Sequence, residues 1–434
     1  MTNTTDELIF LATTDIAAVT KGRAMRLADF NRDSSLGWVP ANLGIGPFGH
    51  IAEGIPFGSS GDLRLKPDHS SLTRIDGIPN QPPVSIAFAD IVETDGSPWK
   101  NCPRNFLRTV IEDLRTEYGL GVEAAFEHEF TDMSAPSTPT HPFSLAAFRD
   151  AEPIGSEVMA TFARAGMDPE CWLPEYGPHQ YEVTVGRTDA LAAADRAILV
   201  RDTVRAHYTA RGRKISFSPV VTPGGDGTGV HVHFGLDDLD GNSLVFDGSQ
   251  PGRVSELAAK FAAGIVRYAP AMAALYAPLL ISYQRLIPNK WSTARAFLGL
   301  QNREALLRIA PTNEIDGRDP KSQLHFEFRG ADIGANPWLL LGSILRAGLE
   351  GLRQNLDPAP VIEGDLDLDD KHSDLAELPA SLDEALTALM ADKTVSGWFP
   401  TEFLQTFLAI KRDEIAHLKD HSMTEQCEAY SNVY

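Results

Sequence analysis

The sequence predicts an α+β protein: a small β-rich domain over residues 1–100, then a larger domain over 101–434 on a mostly antiparallel sheet flanked by helices. Three observations carry this expectation. Residues 122–130, 230–235 and 323–329 alternate apolar and polar side chains with the two-residue period of strands. Between them lie segments with apolar residues at helical spacing and recognisable starts, such as Cys102-Pro103 and Asn336-Pro337. The first hundred residues contain long stretches rich in Gly, Pro and Ser, with only short strand-like pieces.

In order along the chain, residues 84–90 alternate and read as a strand of the first domain. Pro103 then opens a helix whose Phe106, Leu107, Val110, Ile111 and Leu114 recur at helical spacing, and Gly119 stops it. The strand 121–130 carries Glu127-His128-Glu129. A loop over 133–142, a short helix over 156–164 and a turn-plus-strand over 174–183 follow. A long helix is expected over 189–210, and a strand over 214–220 leads into Gly224-Gly225-Asp226-Gly227-Thr228-Gly229 and the strand bearing His231 and His233. In the second half an amphipathic helix is expected over 253–275, irregular chain over 283–302, strands over 303–309 and 323–329, and an apolar helix over 338–354. An acidic loop over 363–377, a capping box at Ser381–Glu384 and a helix over 402–418 complete the chain.

Composition limits the function. Hydrophobic content of 43% in 434 residues suffices for a large core. A net charge of −21 argues against a nucleic-acid partner, since no basic face is on offer to phosphates. Three cysteines without a CxxC point to a reduced, cytoplasmic setting. Met1 to Asp6 lacks a signal-peptide start, and the apolar run 268–281 is too short to span a membrane. A soluble protein with no membrane partner is expected.

On a strand, residues two apart share a face, so Glu127 with Glu129, His231 with His233, and Glu327 with Arg329 would each point together. Glu175 and Glu182 add carboxylates beside apolar segments. One Glu-x-Glu alone is more often a solvated face. Five such glutamates with His231 make two sets of hard ligands, for Mg²⁺ or Mn²⁺ rather than a thiolate metal. Arg285, Arg303, Arg308 and Arg329 supply donors for carboxylate and phosphoryl groups. Together they suggest phosphoryl transfer involving an anionic substrate, although no GxxxxGK[ST] or GxGxxG is present.

The order of these motifs resembles the glutamine synthetase family over most of the chain. They are Glu127-His-Glu129, Glu175-Tyr-Gly-Pro-His-Gln-Tyr-Glu182, Gly227-Thr-Gly-Val-His231-Val-His233, Tyr283-Gln-Arg285, Asn302-Arg303, Glu327-Phe-Arg329 and Asn336-Pro337. The resemblance implies a β-grasp N-terminal domain, a catalytic domain and rings of six or twelve subunits. It implies one metal ion on Glu129, Glu175 and Glu182, and another on Glu127, His231 and Glu327. Gly227 and Arg285 would hold the two α-groups of glutamate, and Arg329 its γ-carboxylate. His233, Arg303 and Arg308 would contact ATP, with Arg329 and Arg303 catalytic.

Departures from that pattern bear on the substrate. Trp291 stands where ammonia-using members carry a flap glutamate, and an indole neither attracts ammonium as strongly nor takes its proton. It would instead line a wider, apolar amine site. The usual N-terminal aspartate has no match near Phe48, and Gly235 replaces a serine common near the nucleotide. The expectation is therefore an ATP-dependent glutamate–amine ligase that makes a γ-glutamylamide from an organic amine through a γ-glutamyl phosphate. Glutamine synthesis from ammonia and a non-catalytic homologue are the alternatives.

Overall fold

A computed structural model describes residues 7–135, 141–288, 294–364 and 375–434. Among these residues six strands form the first sheet: β1 (Leu8–Thr14), β2 (Thr20–Arg26), β3 (Leu36–Trp38), β4 (Leu63–Pro67), β5 (Thr73–Ile75) and β6 (Val84–Val92). Their order is β2-β1-β6-β4-β3, with β5 also on β6. Only the β1–β6 pair is parallel. The loop-rich stretch thus holds more regular structure than its Gly and Pro content suggests, because short strands borrow stability from their neighbours.

Helix α1 (Pro103–Tyr118) joins this sheet to the rest of the molecule. Arg104, 1% exposed, bonds Asp68 at 3.0 Å, Asp90 at 2.9 Å and Asp195 at 2.7 Å. A guanidinium shared by three carboxylates clamps both layers together. Asn336 has a parallel role: its Oδ1 accepts the Trp338 and Leu339 amides, while its Nδ2 donates to the carbonyls of Thr14 and Asp15. One side chain caps a helix and ties it to β1.

Among the described residues the second sheet has ten strands. They are β7 (Leu120–Asp132), β8 (Pro169–Pro174), β9 (Gln180–Val185), β10 (Thr188–Asp189), β11 (Ile215–Ser216), β12 (Val230–Asp238), β13 (Leu298–Leu300), β14 (Leu307–Ile309), β15 (Phe326–Phe328) and β16 (Val361–Glu363). The order is β16-β13-β14-β15-β12-β7-β9-β8, with β10 and β11 also on β7, and all pairs but β16-β13 and β13-β14 are antiparallel. Along β7 every second residue is buried without exception. Phe126, His128 and Phe130 therefore enter the core, while Glu127 and Glu129 line the other face.

The core-facing side is covered by helices. Among the described residues these include α2 (Leu145–Asp150), α3 (Ile154–Arg164), α4 (Ala190–Thr209), α5 (Glu256–Tyr276) and α6 (Pro337–Arg353). Tyr208 of α4 packs on Phe130, their rings 5.6 Å apart. The α5–α6 contact requires glycine: a Cβ on Gly264 would fall 2.1 Å from the Ala347 carbonyl oxygen. Helices α7 (Leu382–Ala391), α8 (Lys393–Ser396), α9 (Thr401–Leu418) and α10 (Met423–Ser431) follow.

Several expectations change in detail. The strand expected over 214–220 contracts to β11, since the Phe217 amide donates instead to the Tyr434 carbonyl oxygen. That expected over 303–309 contracts to β14, and α5 is buried on more than the one face of an amphipathic helix. Helices α2, α8 and α10 were not expected. Among the described residues, no helix is long and apolar enough to cross a membrane.

Candidate active site

Strand pairing sets the site in rows across the sheet. One row runs Arg308, Glu327, His233, Ala125, from β14 through β15 and β12 to β7. The next places His231 opposite Glu127, which stands opposite Thr184 of β9. A third sets Glu129 opposite Glu182, itself opposite Leu173 of β8. Polar residues far apart in sequence thus meet because alternation aims them at one face and register aligns them.

They line a cavity of about 570 Å³ that also takes in Glu175, Gly227, Arg285, Arg303 and Arg329. His231 Nδ1 lies 3.3 Å from Glu127 and 3.7 Å from Glu327, and His231 Nε2 lies 3.8 Å from Glu129. His233 Nε2 is 3.1 Å from Glu127. Glu327, 1% exposed, accepts from Arg308 at 2.7 Å and is also paired with Arg329. Arg329 Nε donates to the Arg303 carbonyl at 2.8 Å, so the turn that presents Arg303 also orients Arg329.

The glycine turn serves close approach. A Cβ on Gly227 would lie 2.5 Å from Arg285 Cγ, so only glycine lets the turn rest on that arginine. Arg285 is 4% exposed and donates to the Ala331 carbonyl at 2.7 Å. The Gly229 amide donates to Glu129 at 2.9 Å.

Electrostatics divide the carboxylates. Burial raises Glu129 to about 7, with the Gly229 amide opposing and Glu175 adding to the rise. Burial, then repulsion from Glu127, Glu129, Glu175 and Glu327, pushes Glu182 far above the carboxylate range, and burial also raises Glu175. Burial acts the same way on Glu127 and Glu327 but is outweighed there. His233 and His231 hold Glu127 low, and Arg329 with His233 brings Glu327 to about 2. Burial and Arg329 lower His231 to about 4.

Three carboxyls raised by burial and mutual repulsion form a cradle that a divalent cation would relieve. The donor atoms are oxygen and imidazole nitrogen, which suit Mg²⁺ or Mn²⁺. The closest donor groups among the described residues are Glu127, Glu182 and His231, and Glu127, His233 and Glu327. Glu127 is common to both, a grouping different from the one implied by resemblance.

Of the site residues named from sequence, all but Trp291 line this cavity, and Trp291 lies outside the described residues. Sequence reasoning passed over Gln180, whose Nε2 donates to the Gly227 carbonyl at 2.8 Å and to Glu129 at 3.2 Å. It also passed over His325, whose Nε2 lies 2.8 Å from His233 Nδ1. Each stands two residues before a named glutamate, so the same alternation pointed to both. Phe143 and Tyr176 at the rim left no periodic signal.

Residues 2–99 match the family model "Glutamine synthetase N-terminal domain", and residues 100–430 match "Glutamine synthetase, catalytic domain". A gamma-glutamylpolyamine synthetase from Streptomyces coelicolor is 33% identical, over 76% of this chain and 72% of its own. A glutamate–isopropylamine ligase from a Pseudomonas species is 29% identical, over 94% and 91%. Other relatives carry the name glutamine synthetase. A crystal structure titled as a novel glutamine synthase homolog superposes with a TM-score of 0.92 at 39% identity, over 99% of both chains. Two consecutive domain matches, with buried carboxylates and arginines meeting on one sheet face, have one explanation: the chain belongs to the glutamine synthetase family, whose ligases use ATP and divalent Mg²⁺ or Mn²⁺.

Proposed function

We propose that the protein is an ATP-dependent glutamate–amine ligase that joins the γ-carboxylate of glutamate to an organic amine. The observation carrying this reading is the division of one cavity into carboxylates raised by crowding and a bank of arginines. Such a pairing suits a reaction in which anions meet and exchange a phosphoryl group.

Glu129, Glu175 and Glu182, with Glu127, His231, His233 and Glu327, would hold the divalent ions. When bound, these ions supply charge compensation to phosphate oxygens. Arg285 and the Gly227 turn bind the α-groups of glutamate. Arg329, oriented by the Arg303 carbonyl, faces the γ-carboxylate. His233, Arg303 and Arg308 contact the ATP phosphates. The γ-phosphoryl passes to a carboxylate oxygen, giving an acyl phosphate. The amine nitrogen then attacks the acyl carbon, the bond to the phosphate oxygen breaks, and phosphate leaves. Burial favours the neutral amine, which is the form that attacks.

Trp291 in place of an acidic flap residue supports an organic amine, as do the two relatives named for such amines. The relatives named glutamine synthetase favour ammonia as the second reading. Phosphate release with glutamate, Mg-ATP and a panel of amines decides between them. Alkyl or aryl amines should exceed ammonium; ammonium as the best acceptor would mean glutamine synthesis, and no turnover with any acceptor would mean a non-catalytic homologue. We also infer cytoplasmic rings of six or twelve subunits, which light scattering on the purified protein checks for size.

A further inference from the structure

Strand β7 gives the cavity a direction. Glu123 lines a second pocket of about 330 Å³, Glu127 lines both pockets, and Glu129 lines only the first. His233 lines both pockets and His325 only the second, while Arg285 and the Gly227 turn line only the first. On the reading above, the nucleotide enters by the second pocket, its phosphates reach His233, Arg303 and Arg308 of the first, and glutamate occupies the C-terminal end. The acceptor must reach the acyl carbon without crossing the phosphates, so it arrives from the C-terminal end.

That end is where the rim turns aromatic. Phe143 and Tyr176 are 52% and 49% exposed, yet their rings touch edge to face with centroids 4.9 Å apart. Single exposed aromatics need no explanation, but a contacting pair on the rim of a charged cavity marks a binding surface. Leu173 continues the apolar strip into the cavity, on the same row as Glu182 and Glu129. Phe143 is held at φ +56°, a backbone conformation that bulky residues rarely adopt. The Tyr176 amide donates to Glu175 at 3.2 Å, which sets the ring beside a carboxylate that an arriving ammonium would meet.

We propose that Phe143 and Tyr176 form the specificity wall of the acceptor site and receive the apolar substituent of a primary alkyl- or arylamine. This rests on the ligase reading. Ring faces offer both apolar contact and attraction for the ammonium before it loses its proton. Ammonia would gain none of the apolar contact.

The test compares wild type with Phe143→Ala, Tyr176→Ala and Tyr176→Phe. Benzylamine is one acceptor and hydroxylamine, a nucleophile without an apolar substituent, the other. The benzylamine-to-hydroxylamine ratio of kcat/KM should fall roughly tenfold in each alanine variant, through the KM for benzylamine. Tyr176→Phe should keep the ratio, because the ring face and not the hydroxyl makes the contact. A wild type that uses benzylamine while the alanine variants keep its ratio would overturn the wall and leave the ligase standing. Alanine variants that lose assembly by light scattering but keep the ratio would make the pair a subunit interface, which also overturns it. A wild type that uses hydroxylamine but no organic amine would remove the organic-amine reading and this proposal together.

Discussion

Glu129 of β7 and Glu182 of β9 stand directly opposite each other across an antiparallel ladder, both turned into the same cavity. Like charges in that relation are destabilising, and burial removes the water that would screen them. The fold holds this pair in place at a cost that a divalent cation between them would relieve.

Adding Mn²⁺ or Mg²⁺ should therefore raise the melting temperature of chelator-treated protein. Each site adds about 2.7 kcal/mol when free metal is one hundred times its Kd. Glu182→Gln removes the carboxyl that burial and its neighbours push furthest above the ordinary range. It should raise the melting temperature without metal and shrink the shift with metal; a larger shift would argue against the cradle.

Acidity follows from Glu129, raised from 4.5 to about 7. Below pH 4.5 it is protonated whether the chain is folded or not, so it costs nothing. As pH rises towards 7 the unfolded chain releases that proton first, and metal-free stability falls by roughly 3 kcal/mol across the window. Melting curves of metal-free protein from pH 5 to 8 should show a slope of this sign, to which Glu175 and Glu182 add, and Glu129→Gln should make it shallower.

Glu327 neutralises two buried arginines, so removing it does more than delete a candidate metal ligand. Glu327→Ala leaves Arg308 and Arg329 facing each other without their carboxylate, a loss of about 3–5 kcal/mol. Denaturant unfolding should report that loss, and phosphate release should vanish. Full activity in this variant would contradict the site.

Gly227→Ala places a methyl group against Arg285. The turn or the arginine must shift, and a misplacement of about 1 Å costs roughly a hundredfold in kcat/KM for glutamate. The KM for ATP should change far less, because His233 and Arg308 lie on other strands. Equal changes for both substrates would mean general disruption.

Gln180 holds Glu129 and the Gly227 carbonyl with one amide group. Gln180→Ala should weaken Mn²⁺ binding about 10–100-fold, the usual effect of losing a group that orients a ligand. Titration calorimetry reads this directly, independent of turnover.

Much of the candidate site was legible in the sequence because most of its polar residues lie on strands. Alternation alone gives Glu127 and Glu129 one face and His128 the other, and the structure keeps that division. The caps at Pro103 and Asn336 also mark true helix starts. Phe143 and Tyr176 escaped notice because irregular chain has no period to read.

The sequence by itself determined which residues share a face, where the helices begin and which chemical groups the site contains, since these depend on local backbone geometry. Only the tertiary structure decided which faces meet. Register between β7, β9, β12 and β15 brings Glu129 to Glu182 and His231 to Glu127. It thereby regroups the donors around Glu127, makes Glu327 the partner of two arginines, and sets an aromatic rim at one end of the cavity. Pairing between distant strands is a property of the whole core, and no short stretch of chain encodes it.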